Sequence, residues 1–532
     1  MTGYGFPLTC AEGAYAVILS SCCDNSVLTP RDYLDSIRFP QREKISSLRE
    51  RPGMSVKEPT GTHHDGTESH VEGGDYLAKR QLKKGTAGWV LLAGLGVSYV
   101  ISGDYSGWNF GLEQGGFGGL LIAGIVIAGM YLAMVLGMAE MSSALPAAGG
   151  GYTFARRALG PWGGFATGTA ILIEYAIAPA AIATFIGAYV ESLGLFGITD
   201  GWWVYLAVYA IFIGIHLAGA GEALKIMFVI TAIALVGLVI FALSAVGQFD
   251  SANLTDIAPS DAAGASSFLP FGYLGIWAAV PFAIWFFLAI EGVPLAAEEA
   301  KDPTKNVPRG IIAAMAVLLV TGAGVLFLVT GAGGADAMQS SGNPLVEALG
   351  DGTAAKVVNY IGLAGLIASF FSIMYAYSRQ LFALSRAGYL PKTLSITNSR
   401  KAPTLALIVP GVIGFLLSLT GQGAMLLNMA VFGAALSYVL MMVSHIVLRR
   451  NEPNMERPYR TPGGIVTTGF ALIVAALAVV ATFLVDSTAA LWCLGVFAAF
   501  MLYFGIYSRH HLVANSPDEE FAALAEAEAE LE

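Results

Sequence analysis

Ionisable side chains inside apolar segments are the first sign of chemistry in this sequence. Four carboxylates lie within long apolar stretches: Asp104, Glu140, Glu174 and Glu291. A carboxylate at the centre of a bilayer costs at least ~2.5 kcal/mol, so it needs a partner or a water-filled cavity. Glu140 lies near the end of its stretch, where we expect a structural ion pair with Arg156 or Arg157.

Two of the four acids lie in sequences that form poor helices. Asp104 belongs to the stretch 102–107, Ser-Gly-Asp-Tyr-Ser-Gly, and glycine disfavours helix. Glu291 is followed by Gly292, which permits unusual φ values, and by Pro294, which cannot donate a helical hydrogen bond. Broken backbone at membrane depth is tolerated only where it lines a cavity or is buried in protein. Asp104 and Glu291 therefore indicate a binding site.

The remaining ionisable groups favour a structural interpretation or leave two readings open. Glu174 lies well inside its segment and is either a protonated hydrogen-bond donor between helices or a functional group. His216 and His445 each stand alone near a segment end, as structural histidines do. The apolar segments contain no Ser/His/Asp set, and the chain has no GxxxxGK[ST] motif. We expect no enzyme activity, catalytic residue, metal site or cofactor.

The composition indicates the kind of structure that holds these acids. Of 532 residues, 55% are hydrophobic and only 12% are charged, against about 25% charged in soluble domains. A soluble enzyme and a disordered chain are excluded, and no basic field for nucleic acid exists. The sequence predicts an all-α membrane protein with twelve spans. These are residues 88–110, 117–143, 160–192, 201–218, 222–247, 273–299, 308–333, 354–387, 403–420, 423–448, 464–485 and 488–508.

The charges between the spans predict the orientation, because cytoplasmic loops are rich in Lys and Arg. With the N-terminus inside, the inner joints hold nearly all the basic residues of the body: Arg156, Arg157, Lys225, Lys301, Lys305, Arg309, Arg386, Lys392, Arg400, Lys401, Arg449, Arg450, Arg457 and Arg460. The outer joints are mostly acidic, and Lys356 is their one basic residue. We expect a multi-pass protein of the cytoplasmic (inner) membrane with both termini in the cytoplasm.

Three regions divide the chain by composition. Residues 1–84 are polar and read as a disordered cytoplasmic leader, of which 1–53 either belong to the native protein or are upstream sequence preceding Met54. Residues 85–510 form the hydrophobic body, and 511–532 form an acidic cytoplasmic tail. The two interruptions fall in the first and sixth spans, the offset expected for an inverted repeat of five helices. The prediction is a 5+5 repeat with broken helices 1 and 6, plus two C-terminal helices.

Three motifs resemble the amino acid–polyamine–organocation permeases. Residues 139–146 (AEMSSALP), with the glycines and tyrosine of 149–152, resemble the junction of helices 2 and 3 in that group. Residues 298–303 (EEAKDP) and 307–310 (VPRG) resemble the loop after helix 6, and 386–391 (RAGYLP) the signature after helix 8. The resemblance covers roughly residues 85–510 and implies a secondary transporter working by alternating access.

Within that group the sequence is most similar to bacterial ethanolamine permeases. The likeness lies in residues 103–109 (GDYSGWN) and 289–294 (AIEGVP). Amino acid carriers of the group bind the substrate carboxylate on helix 1 amides, whereas Asp104 would repel a carboxylate and attract an ammonium. The resemblance thus implies import of a small primary amine. The expected substrate-binding residues are Ser102, Gly103, Asp104, Tyr105, Ser106, Trp285, Glu291 and Gly292.

The sequence leaves open which ion, if any, is coupled to transport. In related exchangers an aromatic residue six positions before the helix 6 acid covers the substrate; Trp285 has that spacing, and Phe286 or Phe287 could face the cavity instead. Some relatives carry a lysine within helix 5, but Lys225 lies too early for that role. Glu291 or Glu174 is then the expected gating or proton-coupling group, with a proton or a sodium ion as the partner. A uniporter or an exchanger is also open. The alternative is a general amino acid permease, and the oligomeric state is open.

Overall fold

A computed structural model describes residues 85, 87–146, 149–194 and 201–512, with only the backbone for 220–225. These residues all belong to one compact unit, Thr67–Glu532. The expectations for the leader 1–84, and for the tail from residue 513, lie outside the described residues. Regular structure in the described part is helical, apart from two isolated β-bridges.

The helices follow the apolar segments closely. They are α1 (Trp89–Val100), α2 (Ser102–Tyr105), α3 (Phe110–Ala144), α4 (Gly151–Ser192), α5 (Gly201–Ala218), α6 (Ala220–Ala245), α7 (Gly272–Trp285), α8 (Pro303–Gly333), α9 (Ala335–Met338), α10 (Pro344–Leu349), α11 (Thr353–Arg386), α12 (Thr404–Ser418), α13 (Gly423–Asn451), α14 (Ile465–Val485) and α15 (Ser487–Ile506). Short 3₁₀ helices cover Val246–Gln248, Ser251–Thr255, Ile290–Glu299, Lys392–Ser395 and Ser508–His510.

Ten helices in the described residues are long and apolar enough to cross a membrane. Two further apolar helices, α1 and α12, are shorter, with 12 and 15 residues. Glycines with positive φ break two of the long helices: Gly116 (φ 64°) separates the first turns of α3 from its long part, and Gly160 (φ 71°) does the same in α4. The prediction of an all-α, multi-pass membrane protein is confirmed.

The first interruption lies where the sequence places it. α1 ends at Val100, α2 supplies one turn, and regular helix resumes only at Phe110. Gly107 has a φ of 98°, a conformation that a residue with a Cβ adopts only with strain. The small residues of 102–107 thus allow the chain to leave the helical path while fully buried.

The second interruption begins earlier than its sequence signals suggest. α7 ends at Trp285, and Ala289, not Gly292, adopts the left-handed conformation, with a φ of 76°. Gly292 permits an unusual φ but does not adopt a positive one. A Cβ there would make tight contacts, 3.0 Å from the Tyr175 hydroxyl and 3.1 Å from the Tyr99 ring. The segment Ile290–Glu299 continues as a 3₁₀ helix.

Candidate functional site

The two interruptions meet in the protein interior. A Cβ on Gly103 would lie 2.3 Å from the carbonyl oxygen of Trp285, so only glycine permits this approach of α2 to the end of α7. The Trp285 indole Nε1 donates to the carbonyl oxygen of Ser106 at 3.0 Å. This bond ties the ring to the non-helical backbone of the first interruption. Gly103, Ser106 and Trp285, predicted from separate segments, are therefore neighbours.

Asp104 is buried without a clear partner. Its exposed fraction is 0%, and neither carboxylate oxygen makes a well-aligned hydrogen bond with a described residue. The Thr321 hydroxyl on α8 lies close by. Asp104 therefore does not cap a helix, which would require it to accept a backbone N–H. A buried carboxylate in this state is suited to bind a positive charge or to carry a proton.

Three other predicted binding residues are held by protein groups. The Ser102 hydroxyl lies 2.8 Å from that of Ser369 on α11. The Tyr105 hydroxyl donates to the carbonyl oxygen of Ala234 on α6 at 2.7 Å, and the Ser106 hydroxyl donates to that of Gly342 at 2.9 Å. These bonds fix the interruption against its surroundings, and a ligand would meet backbone and the Asp104 carboxylate there.

Glu291 lies in a different environment from Asp104. The Tyr175 hydroxyl on α4 donates to its Oε1 at 2.7 Å, and the Tyr438 hydroxyl on α13 donates to its Oε2 at 3.0 Å. Tyr131 on α3 in turn donates to the Tyr438 hydroxyl at 3.0 Å. The Glu174 carboxyl lies within hydrogen-bonding reach of Glu291. The structure thus brings Glu174 and Glu291 together and gives Asp104 other neighbours.

Aromatic rings separate Trp285 from a polar cavity. The Phe185 ring contacts Trp285 edge to face, with centroids 6.1 Å apart, and lies 6.1 Å from the Phe110 ring. Phe110 lines a cavity of 470 Å³ whose wall carries the carboxylates of Glu113 and Asp486. Such a vestibule would concentrate cations near the aromatic layer. A larger cavity of 640 Å³ is almost wholly apolar, and no predicted site residue lines it.

Two ion pairs join the segment after the second interruption to α11. Arg379 Nη2 lies 2.9 Å from Glu299 Oε1, with side chains only 2% and 3% exposed, and its guanidinium stacks 3.9 Å from the Tyr375 ring centroid. Arg386 Nη2 lies 2.8 Å from Glu298 Oε1. The backbone of Glu299 also accepts a hydrogen bond from Ala87, next to the start of α1. The ends of both broken helices are therefore held together at one side of the protein.

The partner predicted for Glu140 is wrong. Glu140 accepts from Arg449 Nε at 2.9 Å and lies 3.1 Å from Arg457 Nε and 3.3 Å from His445 Nε2. Arg157 pairs with Glu452 at 2.9 Å instead, and Arg156 donates to the Tyr389 hydroxyl. The chain after α13 folds back over the end of α3, and that packing could not be read from sequence. Nor is His445 isolated, as the sequence suggested.

His216 fits its structural interpretation. It is buried, its Nδ1 lies 2.8 Å from the Phe212 carbonyl oxygen, and its ring packs 3.8 Å from the Phe371 ring, centroid to centroid. In the described residues, no group of three or more His, Cys, Asp or Glu side chains could hold a metal ion.

Comparison with known sequences identifies the family. The sequence model described as "Amino acid permease" matches residues 88–507, well over half of the chain. The chain belongs to the amino acid permease family. The two interruptions and their buried acids are thus features of a small-molecule transporter, within the amino acid–polyamine–organocation superfamily.

Individual relatives are distant. An uncharacterized transporter of Rhizobium meliloti is 28% identical over 78% of this chain and 90% of its own. A branched-chain amino acid permease of Bacillus subtilis is 26% identical, over 67% of this chain and 79% of its own. A methylthioribose transporter of the same organism is 28% identical, over 65% and 77%. The two relatives from Bacillus subtilis are named for different substrates.

Proposed function

We propose that this permease is a secondary active transporter that imports a small primary amine, with ethanolamine as the leading candidate, by alternating access. The observation that carries the proposal is the buried Asp104 carboxylate, which makes no well-aligned hydrogen bond with a described residue and lies beside the point where Gly103 packs against Trp285. An ammonium needs a counter-charge in a dehydrated site. Asp104 supplies that charge from the first interruption.

The proposed architecture has twelve spans and a defined orientation in the membrane. α1 and α12 complete twelve spans as shortened or broken helices, in a 5+5 inverted repeat followed by α14 and α15. Both termini face the cytoplasm across the inner membrane. On this view the vestibule at Glu113 and Asp486 faces outside, and the Arg379–Glu299 pair closes the inner side.

The proposed site combines charge with an aromatic surface. Asp104 binds the ammonium, while backbone and hydroxyl groups of Ser102, Gly103, Tyr105, Ser106 and Gly292 surround the rest of the ligand. The Trp285 face attracts a cation that approaches within about 6 Å of its centroid. Glu291 and Glu174 act in gating or in proton coupling, since they lie together on the 3₁₀ segment and α4.

A general amino acid permease is the second candidate, favoured by the relative from Bacillus subtilis that is named for branched-chain amino acids. An amino acid carries a carboxylate that Asp104 would repel, so this function requires the carboxylate to bind elsewhere. The buried Arg379 is occupied by Glu299 and does not offer an obvious alternative.

Uptake into proteoliposomes separates the two functions. The purified protein is reconstituted into vesicles, labelled ethanolamine is added outside, and its uptake is competed with glycine, leucine, choline and agmatine. The amine proposal predicts saturable ethanolamine uptake that glycine and leucine leave unchanged. Competition by leucine, together with uptake of labelled leucine itself, would instead establish the amino acid permease.

A further inference from the structure

The carboxyl groups of Glu174 and Glu291 form a buried pair with unequal partners. Both oxygens of Glu291 accept a tyrosine hydroxyl, from Tyr175 and Tyr438. Apart from the Glu291 carboxyl, neither oxygen of Glu174 has a hydrogen-bond partner among the described residues, and its side chain is 0% exposed. The surroundings therefore stabilise a negative charge on Glu291 and offer nothing to stabilise one on Glu174.

The elements around the pair supply no opposite charge. The groups facing it are tyrosines: Tyr99 from α1, Tyr131 from α3, Tyr175 from α4 and Tyr438 from α13. Arg379 on α11, which lies near Tyr99, is already paired with Glu299. Two adjacent buried carboxylates without a cation cannot both be ionised. One positive charge must therefore reside between them.

We propose that this charge is a single proton carried by Glu174, which donates it to the Glu291 carboxylate, and that Tyr175 and Tyr438 are positioning residues that keep the negative charge on Glu291. The proton carrier is thus the acid of α4 and not the acid of the interrupted helix. Release follows when the 3₁₀ segment moves away from α4 and water reaches Glu174.

The separation of the two acidic sites determines the type of coupling. Asp104 faces Thr321 on α8, whereas Glu174 faces the 3₁₀ segment. An ammonium at Asp104 and a proton at Glu174 can therefore be bound at the same time, which is the arrangement of a symporter. The assignment of symport rests on the proposed function, whereas the location of the proton on Glu174 does not.

Stability without substrate tests the location of the proton. A carboxyl that is protonated when folded and ionised when unfolded stabilises the protein at low pH, and this stability is lost as the pH rises. The thermal midpoint should therefore fall through neutral pH, and the comparison is made in an Asp104→Asn background, because Asp104 is a second buried carboxyl. Glu174→Gln keeps a donor to Glu291 and should remove most of that fall, whereas Glu291→Gln should retain it. The reverse order of the two variants would overturn the proposal.

The tyrosine variants test the positioning role. In the Glu174→Gln background, where Glu291 is the acid that titrates, Tyr438→Phe removes a direct donor to the Glu291 carboxylate, so the pH midpoint of the stability change should move upward. Tyr131→Phe is the matched control, because its hydroxyl lies one hydrogen bond further away, and it should cause a clearly smaller shift. Equal shifts in the two variants would show that the tyrosines act only through packing and would overturn this role.

Infrared spectroscopy tests the location of the proton without relying on the thermal stability of the variants. Asp104 is a second buried carboxyl, so the measurement is made in an Asp104→Asn background. There the infrared band of a protonated carboxylic acid should be present at neutral pH and lost when Glu174→Gln is added. A band that persists in the Asp104→Asn, Glu174→Gln double variant would contradict the assignment. Titration with NaCl against choline chloride separates a proton from a sodium ion: a thermal midpoint that rises only with NaCl, and only while Glu174 is present, would show that sodium occupies the pair and overturn the proposal.

Proteoliposomes test the symport step separately. A pH gradient of about one unit supports up to about tenfold accumulation of substrate by one-proton coupling. Glu174→Gln should abolish this accumulation while retaining exchange of labelled for unlabelled substrate. Accumulation equal to the wild type would exclude Glu174 as the coupling group. If no tested amine is transported at all, the proposed function fails, while the stability and infrared results still decide where the proton resides.

Discussion

At the scale of single residues, Asp104 is the most direct test of amine recognition. We expect Asp104→Asn to weaken ethanolamine binding at least about a hundredfold, because removing one partner of a buried charge pair costs ~3–5 kcal/mol. The half-saturation concentration for uptake into proteoliposomes measures this effect. Asparagine has nearly the same shape, and Asp104 accepts no well-aligned hydrogen bond from a described residue, so the fold should be retained.

Ser102→Ala is a suitable control for this variant, since it alters the same turn by removing a hydroxyl that contacts Ser369. It should change the half-saturation concentration far less than Asp104→Asn does. Near-normal half-saturation in Asp104→Asn would contradict the ammonium role, and the ethanolamine proposal would then rest only on the likeness of the sequence motifs.

The acids of the candidate site could be found from sequence, but their partners could not. Asp104, Glu174 and Glu291 are conspicuous because carboxylates are rare in apolar segments. Tyr175 and Tyr438 give no such signal, because a tyrosine in a membrane helix is ordinary. Their role depends on which helices are neighbours in the fold, and the sequence does not show this. The partner of Glu140 was predicted wrongly for the same reason.

Arg379 did carry a signal that was missed. It lies inside the predicted span 354–387, where a cation is as costly as an acid. Only acids were considered among the charged residues within the spans, so no role was predicted for Arg379. A search for both signs of charge would have singled it out. Its pairing with Glu299 would still have required the fold.

At the scale of elements, the two ion pairs on α11 should differ in their contribution to stability. Glu299→Gln leaves Arg379 buried without its charged partner, which should cost about 3–5 kcal/mol. Glu298→Gln affects a pair whose side chains are 13% and 19% exposed, so water can partly replace the lost carboxylate and we expect a smaller cost than for Glu299→Gln. The rate of thermal inactivation in detergent measures the difference, since membrane proteins commonly unfold irreversibly.

The neighbouring glutamates are matched controls for each other, because they carry the same substitution one residue apart. Equal inactivation rates for the two variants would contradict the claim that the buried Arg379–Glu299 pair contributes more to stability. The double variant Glu299→Leu, Arg379→Met should recover much of the lost stability, because an apolar pair of similar volume can replace a buried ion pair.

The contact between the two interruptions predicts a strict requirement for glycine. A Cβ at Gly103 would approach the Trp285 carbonyl oxygen to 2.3 Å, and backbone cannot move aside as a flexible side chain can. Gly103→Ala should therefore destabilise the protein by about 1–3 kcal/mol, as overpacking of a well-packed core does, and reduce uptake.

Gly124→Ala on α3 provides the comparison, since nothing lies within 4 Å of a Cβ there. It should leave the inactivation rate and uptake at wild-type values or improve stability slightly, because alanine favours helix. Wild-type behaviour of Gly103→Ala would show that the close approach is not required.

The elements were predicted better than their interruptions. Apolar length alone places most helices within a few residues, because a span must be long and apolar wherever it packs. The break after α7 lies near the middle of the predicted span 273–299. Its left-handed residue is Ala289, which gives no sequence signal, whereas Gly292 and Pro294 do.

At the scale of the whole molecule, the distribution of charge predicts the orientation in the membrane. The loop 250–265 is acidic, whereas the turn at 303–306 adjoins Lys301, Lys305 and Arg309. Ala262 and Lys305 are both exposed, so a cysteine at either position should be accessible to reagent on its own side. The positive-inside rule places Lys305 in the cytoplasm and Ala262 outside.

Labelling of single cysteines in intact cells tests this orientation. In a background without the four native cysteines, Ala262→Cys should react with an impermeant thiol reagent, and Lys305→Cys should react only after the membrane is permeabilised. The two positions flank the stretch from α7 to Glu299, which must cross the membrane once for the interruption to lie at its centre. Reversed labelling would overturn the orientation, and with it the assignment of the Glu113 vestibule to the outside. Equal labelling of both positions in intact cells would place them on one side and contradict the twelve-span arrangement.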